Sequence, residues 1–302
     1  MKYVLILHFL AIYSVILRKS SAEEEDSSEY GVTPGAKKTS CPCGHLNKNQ
    51  ARIVGGDEAQ MNEFPFMAGI RTQHSPFVFC GGTIISVFHV LTAAHCTDPR
   101  RYEQLAVMVG DHNIYDFKDT KHAVMHNVKK VVQHDLYDKK GEVEYDIALL
   151  VTEKISFNNF VEPACFPNEK INLEKQRVKV IGWGKLSSKG PYSEVLRKVN
   201  LDVISLETCD DYFNGIDTKN PSQICTLTPH ADSCQGDSGG PLVWRDPATN
   251  RYTLVGIVSF GDMCGKEDAP AVSTDVYFHR EWIRQKNGRY PTKGEDLLQN
   301  II

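Results

Sequence analysis

Beyond about residue 53 the apolar positions fall into short runs rich in β-branched and aromatic residues. Phe77 to Cys80, Gly82 to Ser86, Ala106 to Val109, Val178 to Gly182 and Thr253 to Phe260 are such runs, and Gly, Pro, Asn and Asp separate them. Many short strands ended by turn residues predict an antiparallel sandwich or barrel. A helical pattern is read only late, around Val276 to Gln285, and no internal repeat is found. The start of the chain reads differently. Lys2 precedes an apolar stretch from Val4 to Leu17, and Arg18-Lys19-Ser20-Ser21-Ala22 offers a small-residue exit, the layout of a secretory signal. The stretch is shorter than the ~20 residues a spanning helix needs; a retained membrane anchor is the alternative. Glu23-Glu24-Glu25-Asp26-Ser27-Ser28-Glu29 and the Gly, Pro, Ser and Lys up to Ser40 cannot bury a core and read as a solvated leader. The expected organisation is thus a signal peptide over 1–22, a leader over 23–52, and a folded domain over 53–302 with a short tail from about 288.

Composition narrows the class of function. The chain has 302 residues, 41% hydrophobic and 24% charged, an ordinary globular balance that argues against disorder throughout, collagen or coiled coil. A formal net charge of −4 supplies no basic field for a polyanion, so nucleic acid is not an expected partner. Nine cysteines on a secretory route read first as disulfides, and their odd number leaves at least one over.

Three local segments carry candidate chemistry. Acyl hydrolysis by a serine needs a base for the hydroxyl proton, a carboxylate to orient that base, and N–H donors for the oxyanion. Gly236-Asp237-Ser238-Gly239-Gly240 surrounds a serine with residues that permit unusual backbone angles. Leu91-Thr92-Ala93-Ala94-His95-Cys96 sets a histidine in an apolar run, and Asp146-Ile147-Ala148-Leu149-Leu150 sets a carboxylate before another. Singly these read as a turn, a structural histidine and a strand-end aspartate. Their conjunction in this order does not.

Together with Ile53-Val54-Gly55-Gly56 and Pro241, these segments resemble the trypsin/chymotrypsin family of serine peptidases over about residues 52–286. The order His, Asp, Ser separates that family from subtilisins and α/β-hydrolases. The resemblance implies an all-β fold, two antiparallel six-stranded Greek-key barrels with a C-terminal helix and the active site between them. It implies Ser238 as nucleophile, His95 as general base and then acid, Asp146 as the residue fixing the imidazole tautomer, and the N–H groups of Gly236 and Ser238 as the oxyanion hole. It further implies a zymogen: cleavage after Arg52 frees the Ile53 amine, whose ammonium becomes the buried partner of Asp237.

The resemblance also places Asp232 at the base of the primary pocket, which selects substrate Arg or Lys. Gly261 and Ala271 form the pocket wall, and Ser259-Phe260-Gly261 offers its backbone to an extended substrate. Ala271 and Phe260 depart from the family's usual glycine and tryptophan. The extra methyl of Ala271 is expected to narrow activity and to favour Arg, whose planar guanidinium meets Asp232 directly. Carried over as disulfides are Cys80 with Cys96, Cys209 with Cys225, and Cys234 with Cys264. Cys165 is expected to pair with Cys41 or Cys43, leaving one of those two over. A zinc site of Cys41, Cys43 and His45 is the alternative, lacking a fourth ligand at a familiar spacing.

No cofactor is expected. In the loop from Asp111 to Lys121, Lys118 and Lys121 stand where calcium-binding relatives need carboxylates. Asn220-Pro221-Ser222 is not a glycosylation site because of its proline. The Cys-Pro-Cys-Gly leader, the segment from Asn62 to Ile70 and Gly82-Thr83-Ile84-Ile85-Ser86 are similar to hymenopteran venom serine proteases and related insect trypsin-like enzymes. The function expected is a secreted, monomeric endopeptidase acting on proteins or peptides after Arg and Lys. Its partners would be an activating protease and serpin-type inhibitors, with no membrane contact after signal cleavage. The alternative is a secreted protease-like binding protein, toxin or cascade cofactor with little turnover.

Overall fold

The computed structural model describes residues 42–47, 57–98, 103–116, 118–137, 144–219, 221–229, 233–262 and 268–288. The expected signal peptide, most of the leader, Cys41, Arg52, Ile53, Asp232, Cys264 and the tail lie outside them.

A two-residue strand β1 (Asp57–Glu58) precedes six strands: β2 (Met67–Thr72), β3 (Val78–Ser86), β4 (His89–Thr92), β5 (Leu105–Val109), β6 (Val124–Gln133) and β7 (Ala148–Thr152). These six close into a barrel in the order β2-β3-β4-β7-β6-β5. A second group follows: β8 (Arg177–Gly182), β9 (Arg197–Ile204), β10 (Gln223–Thr226), β11 (Pro241–Asp246), β12 (Arg251–Gly261) and β13 (Ala271–Asp275). Its order is β9-β10-β13-β12-β11-β8, and β8 pairs back with β9, so this sheet also closes, with β1 added on the far side of β9. All strand-to-strand pairings are antiparallel. The fold is the one expected, two six-stranded antiparallel barrels.

Closure follows from the residue pattern. β3, β4 and β7 are almost wholly buried runs of Val, Ile, Leu and small residues, which suit strands enclosed on both faces. β6 keeps charged Lys129 and Lys130 outward while Val128 and Val131 turn inward. One apolar cluster crosses between the barrels, joining Ile70, Leu91 and Leu149 to Ile181, Trp183, Val243 and Ile257, so the barrels are held against each other.

Among the described residues there are two α-helices: α1 (Leu206–Phe213), against β10 of the second barrel, and α2 (Arg280–Gly288), whose Trp282 and Lys286 meet His134 and Asp135 just past β6 of the first. The second overlaps the late helical pattern, starting four residues later and ending three residues later than expected. The first was not read from the sequence. Ser205 caps it by accepting the Thr208 N–H, and Asn214 ends it in the left-handed conformation.

Part of the leader belongs to the folded body. Cys43 is bonded to Cys165, which chooses between the two cysteines left open by the sequence and removes the zinc alternative, since a disulfide sulfur is no thiolate ligand. Gly44 donates to Pro163 O at 2.9 Å and accepts from Tyr252 N at 2.9 Å. At φ 63, and with Tyr252 O where a Cβ would sit, position 44 admits only glycine. Leu46 joins the common core, and His45 Nδ1 lies 2.6 Å from Glu162 Oε1.

Candidate active site

His95 sits on a single 3₁₀ turn, Ala94–Cys96, at the end of β4, and Cys96 is bonded to Cys80 on β3. The bridge clips the histidine turn to the barrel. Asp146 lies two residues before β7, the strand paired with β4, and this pairing brings the two side chains together. Asp146 is 0% exposed. Its Oδ1 accepts the His95 backbone N–H at 2.9 Å and its Oδ2 lies 2.7 Å from His95 Nδ1. A third bond comes from Ser259, whose hydroxyl donates to Oδ2 at 2.6 Å. Burial by itself would raise the pKa of this carboxyl; the hydrogen bond and charge of His95, with the Ser259 hydroxyl, overcome that and hold it below the ordinary carboxylate value.

Ser259 occupies a place where the pairing of β12 with β13 slips between Val258 and Phe260. A bulge there takes its side chain out of the regular alternation and aims it at the aspartate. Only the backbone of this residue was expected to act, and no local signal in Val258-Ser259-Phe260 announces the hydroxyl contact.

The loop of Ser238 is fastened to both barrels. Ser238 O accepts from Gly81 N at 2.8 Å on β3, and Gly239 N donates to Val258 O at 2.8 Å on β12. Gly239, at φ 76, presses against Thr92 and Gly81, and a Cβ there would overlap Thr92 Oγ1. Gly236, at φ 102, packs on Gly184 and the Tyr192 ring. The sulfur of Cys96 lies 3.6 Å from both His95 Nε2 and Ser238 O, so the histidine turn and the serine loop meet across the barrel junction. Cys80, Cys96 and His95 cluster there, but the sulfurs form a disulfide and offer no thiolate to a metal.

Asp237 faces Gly182 and Gly184. Its Oδ1 accepts from Gly184 N at 2.8 Å and its Oδ2 from Cys234 N at 2.9 Å. Burial pushes the carboxyl up to about 6 despite these two bonds. Two N–H groups do not replace the hydration lost, and the site favours a positive partner. Trp183 stands between Gly182 and Gly184, the two glycines against this carboxylate, and donates its indole N–H to His112 O at 2.8 Å.

The remaining predicted residues divide. Gly261 pairs with Ala271 across β12 and β13, and a Cβ at 261 would sit 3.7 Å from Ala271, ordinary contact, so the two positions do not crowd each other. Ala271 is buried, whereas Phe260 is half-buried and packs edge-on against Phe213 of α1, ring centroids 5.4 Å apart. Tyr212, next to it, donates to Asp262 at 2.7 Å, so α1 buttresses the end of β12. Cys209 is bonded to Cys225, and Cys234 is disulfide-bonded.

The loop from Asp111 to Lys121 also turns two carboxylates inward. Asp111 Oδ2 and Asp119 Oδ1 are buried without a hydrogen bond. Burial, with the nearby Asp119 charge, pushes Asp111 up to about 6 against the opposing pull of the His112 N–H and Arg71.

Two closed barrels, a histidine on one bonded to a buried aspartate, and a glycine-framed serine loop tied across the junction define a serine peptidase of the double-barrel class. The family model for trypsin matches residues 53–283, and the chain belongs to the trypsin family. It is 40% identical to venom serine protease 34 of the honeybee Apis mellifera over 81% of this chain and 60% of that protein. It is 37% identical to a venom serine protease of the wasp Polistes dominula over 82% of this chain and 89% of that protein. The clotting factor G beta subunit of the horseshoe crab Tachypleus tridentatus is 33% identical over 78% of this chain and 79% of its own length. The chain therefore spans less than two thirds of the honeybee relative and most of the other two.

Proposed function

We propose that this chain is a secreted trypsin-like serine endopeptidase, made as a zymogen and activated by cleavage after Arg52. The observation that carries the reading is Asp146, wholly buried, bonded to His95 beside the loop of Ser238. Ser238 Oγ attacks the scissile carbonyl, His95 takes its proton and returns it to the leaving amine, and Asp146 keeps Nδ1 protonated and stabilises the imidazolium. The N–H groups of Gly236 and Ser238 receive the oxyanion. Water then repeats the attack on the acyl-enzyme with the same residues.

Activation rests on Asp237. A carboxyl that burial pushes up to about 6 is poorly served as an anion, and the ammonium freed at Ile53 supplies the missing charge. Insertion of that charge draws Asp237 and the neighbouring Gly236 into the working geometry. The leader stays attached after cleavage through Cys43 and Cys165. Asp232 at the pocket base selects Arg or Lys, because an apolar side chain would leave that carboxylate unpaired, and Ala271 tilts the choice toward Arg. The expected signal peptide and the disulfides support an extracellular place of action. The horseshoe-crab relative is by name a clotting factor, and a protein precursor in a secreted cascade is the substrate class we propose.

The test uses purified chain cut after Arg52, with Ser238→Ala as control, on matched amide substrates ending in Arg, Lys and Phe. Rapid Arg cleavage that the mutant loses supports the reading. No turnover with a confirmed free Ile53 amine overturns it and favours a binding protein.

A further inference from the structure

We propose that Tyr145 is a positioning residue for the reaction: its ring, packed against both His134 and His279, holds the backbone turn that aims the Asp146 carboxylate at His95. The inference rests on the role given to Asp146 in the proposed function.

Tyr145 directly precedes Asp146 and has φ 56, in the left-handed region. A bulky aromatic residue seldom adopts that conformation, and it persists only where the surroundings over-determine it. The backbone supplies part of the hold. Ile147 N donates to Tyr145 O at 2.8 Å, which makes Asp146 the centre of a tight turn. His134 N donates to Ile147 O at 3.0 Å, continuing the pairing of β6 with β7 by one more bond, so the turn is sewn to His134.

The rings supply the rest. Tyr145 stacks on His134 with centroids 4.9 Å apart at 22°, and it meets His279 edge-on at 5.6 Å and 74°. His134 in turn touches His279 and Trp282, each with ring centroids 5.0 Å away. His279 is buried and directly precedes α2, and Trp282 lies within that helix, so the C-terminal helix bears on the turn through aromatic contact. Asp146 directs both its oxygens elsewhere, to His95 and Ser259. The influence of Tyr145 therefore runs through the backbone. The left-handed conformation, costly for an aromatic residue, and its place next to the buried carboxylate single the residue out.

The experiment compares full-length chain cut after Arg52 as wild type, Tyr145→Phe, Tyr145→Ala, Tyr145→Gly and Asp146→Asn, on one arginyl amide substrate. Glycine adopts the turn without strain, so that variant folds even where alanine does not. Tyr145→Phe keeps the ring and should match wild type. Tyr145→Ala and Tyr145→Gly should lose roughly tenfold in kcat with KM unchanged, since small misplacements of catalytic groups are costly. The acid limb of kcat/KM should move to lower pH as the imidazolium loses part of its carboxylate support. Wild-type kcat and pH profile in Tyr145→Gly overturns the proposal, because the ring is then unnecessary. A lowered Tm with kcat and profile unchanged also overturns it, leaving the ring a packing group. Should Asp146→Asn itself retain activity, the triad assignment falls, and the positioning role with it.

Discussion

Ser259 and Asp146, 113 residues apart in the chain, are joined by a 2.6 Å hydrogen bond in which the serine hydroxyl is the donor. The bond links the second barrel to a carboxylate carried by the first. Because the acceptor is buried and charged, losing its donor costs more than an ordinary hydrogen bond, on the order of 1.5–3 kcal/mol. Ser259→Ala should leave the fold intact and lower kcat about tenfold or more, measured on an arginyl amide at saturating substrate. Unchanged kcat would show that His95 alone suffices to hold the carboxylate.

The proposed pairing of Asp237 with the freed Ile53 amine implies a pH limit on the activated enzyme. Under the proposed activation the Ile53 ammonium gains a partner on insertion, and that pairing would raise its pKa above the ordinary α-amino value of about 8. The stabilisation is complete below that value and is lost as pH rises through the raised one. Activity of the cut chain should therefore fall reversibly in the alkaline range while circular dichroism stays native. Asp237→Asn should abolish most activity at every pH, as judged by titration with an active-site reagent.

Ala271 places its methyl beside Gly261 on the wall proposed for the primary pocket. Ala271→Gly should raise kcat/KM for Lys substrates more than for Arg substrates, by a few-fold, since the lysine ammonium reaches a carboxylate less directly than the guanidinium does. A profile in which Lys already equals Arg in the wild type would remove this account.

Asp111 is 5% exposed, and burial with the Asp119 charge pushes it up to about 6. A carboxyl whose folded value lies above its unfolded one stabilises the fold fully below about 4 and loses that contribution as pH rises through 6. Asp111→Asn keeps an acceptor for the His112 N–H and removes the charge. It should raise stability at pH 7.5 by roughly 1–3 kcal/mol, with no gain at pH 4. Urea denaturation at the two pH values measures the difference.

The histidine, aspartate and serine segments were legible because each is a contiguous motif whose glycines, apolar neighbours and order along the chain state its local geometry. The barrel class was equally legible, since short β-rich runs punctuated by turn residues have few other ways to bury their apolar faces. Helix α1 escaped notice because its eight residues, LETCDDYF, carry too short an apolar pattern, and a cap and one disulfide to β10 hold it. The choice of Cys43 over Cys41 depended on Gly44 fitting against Tyr252 and Leu46 entering the core, neither visible in the motif itself.

What the sequence by itself determined was the type of fold and the family, and it supplied the candidate reacting groups, because these are written in neighbouring residues. Only the tertiary structure decided that Ser259 bonds Asp146, that Phe213 backs Phe260, and that Tyr145 packs against His134 and His279. Each is a contact between segments brought together by barrel closure, a strand bulge or helix docking. Such contacts are set by how whole elements pack, and no window of neighbouring residues encodes them.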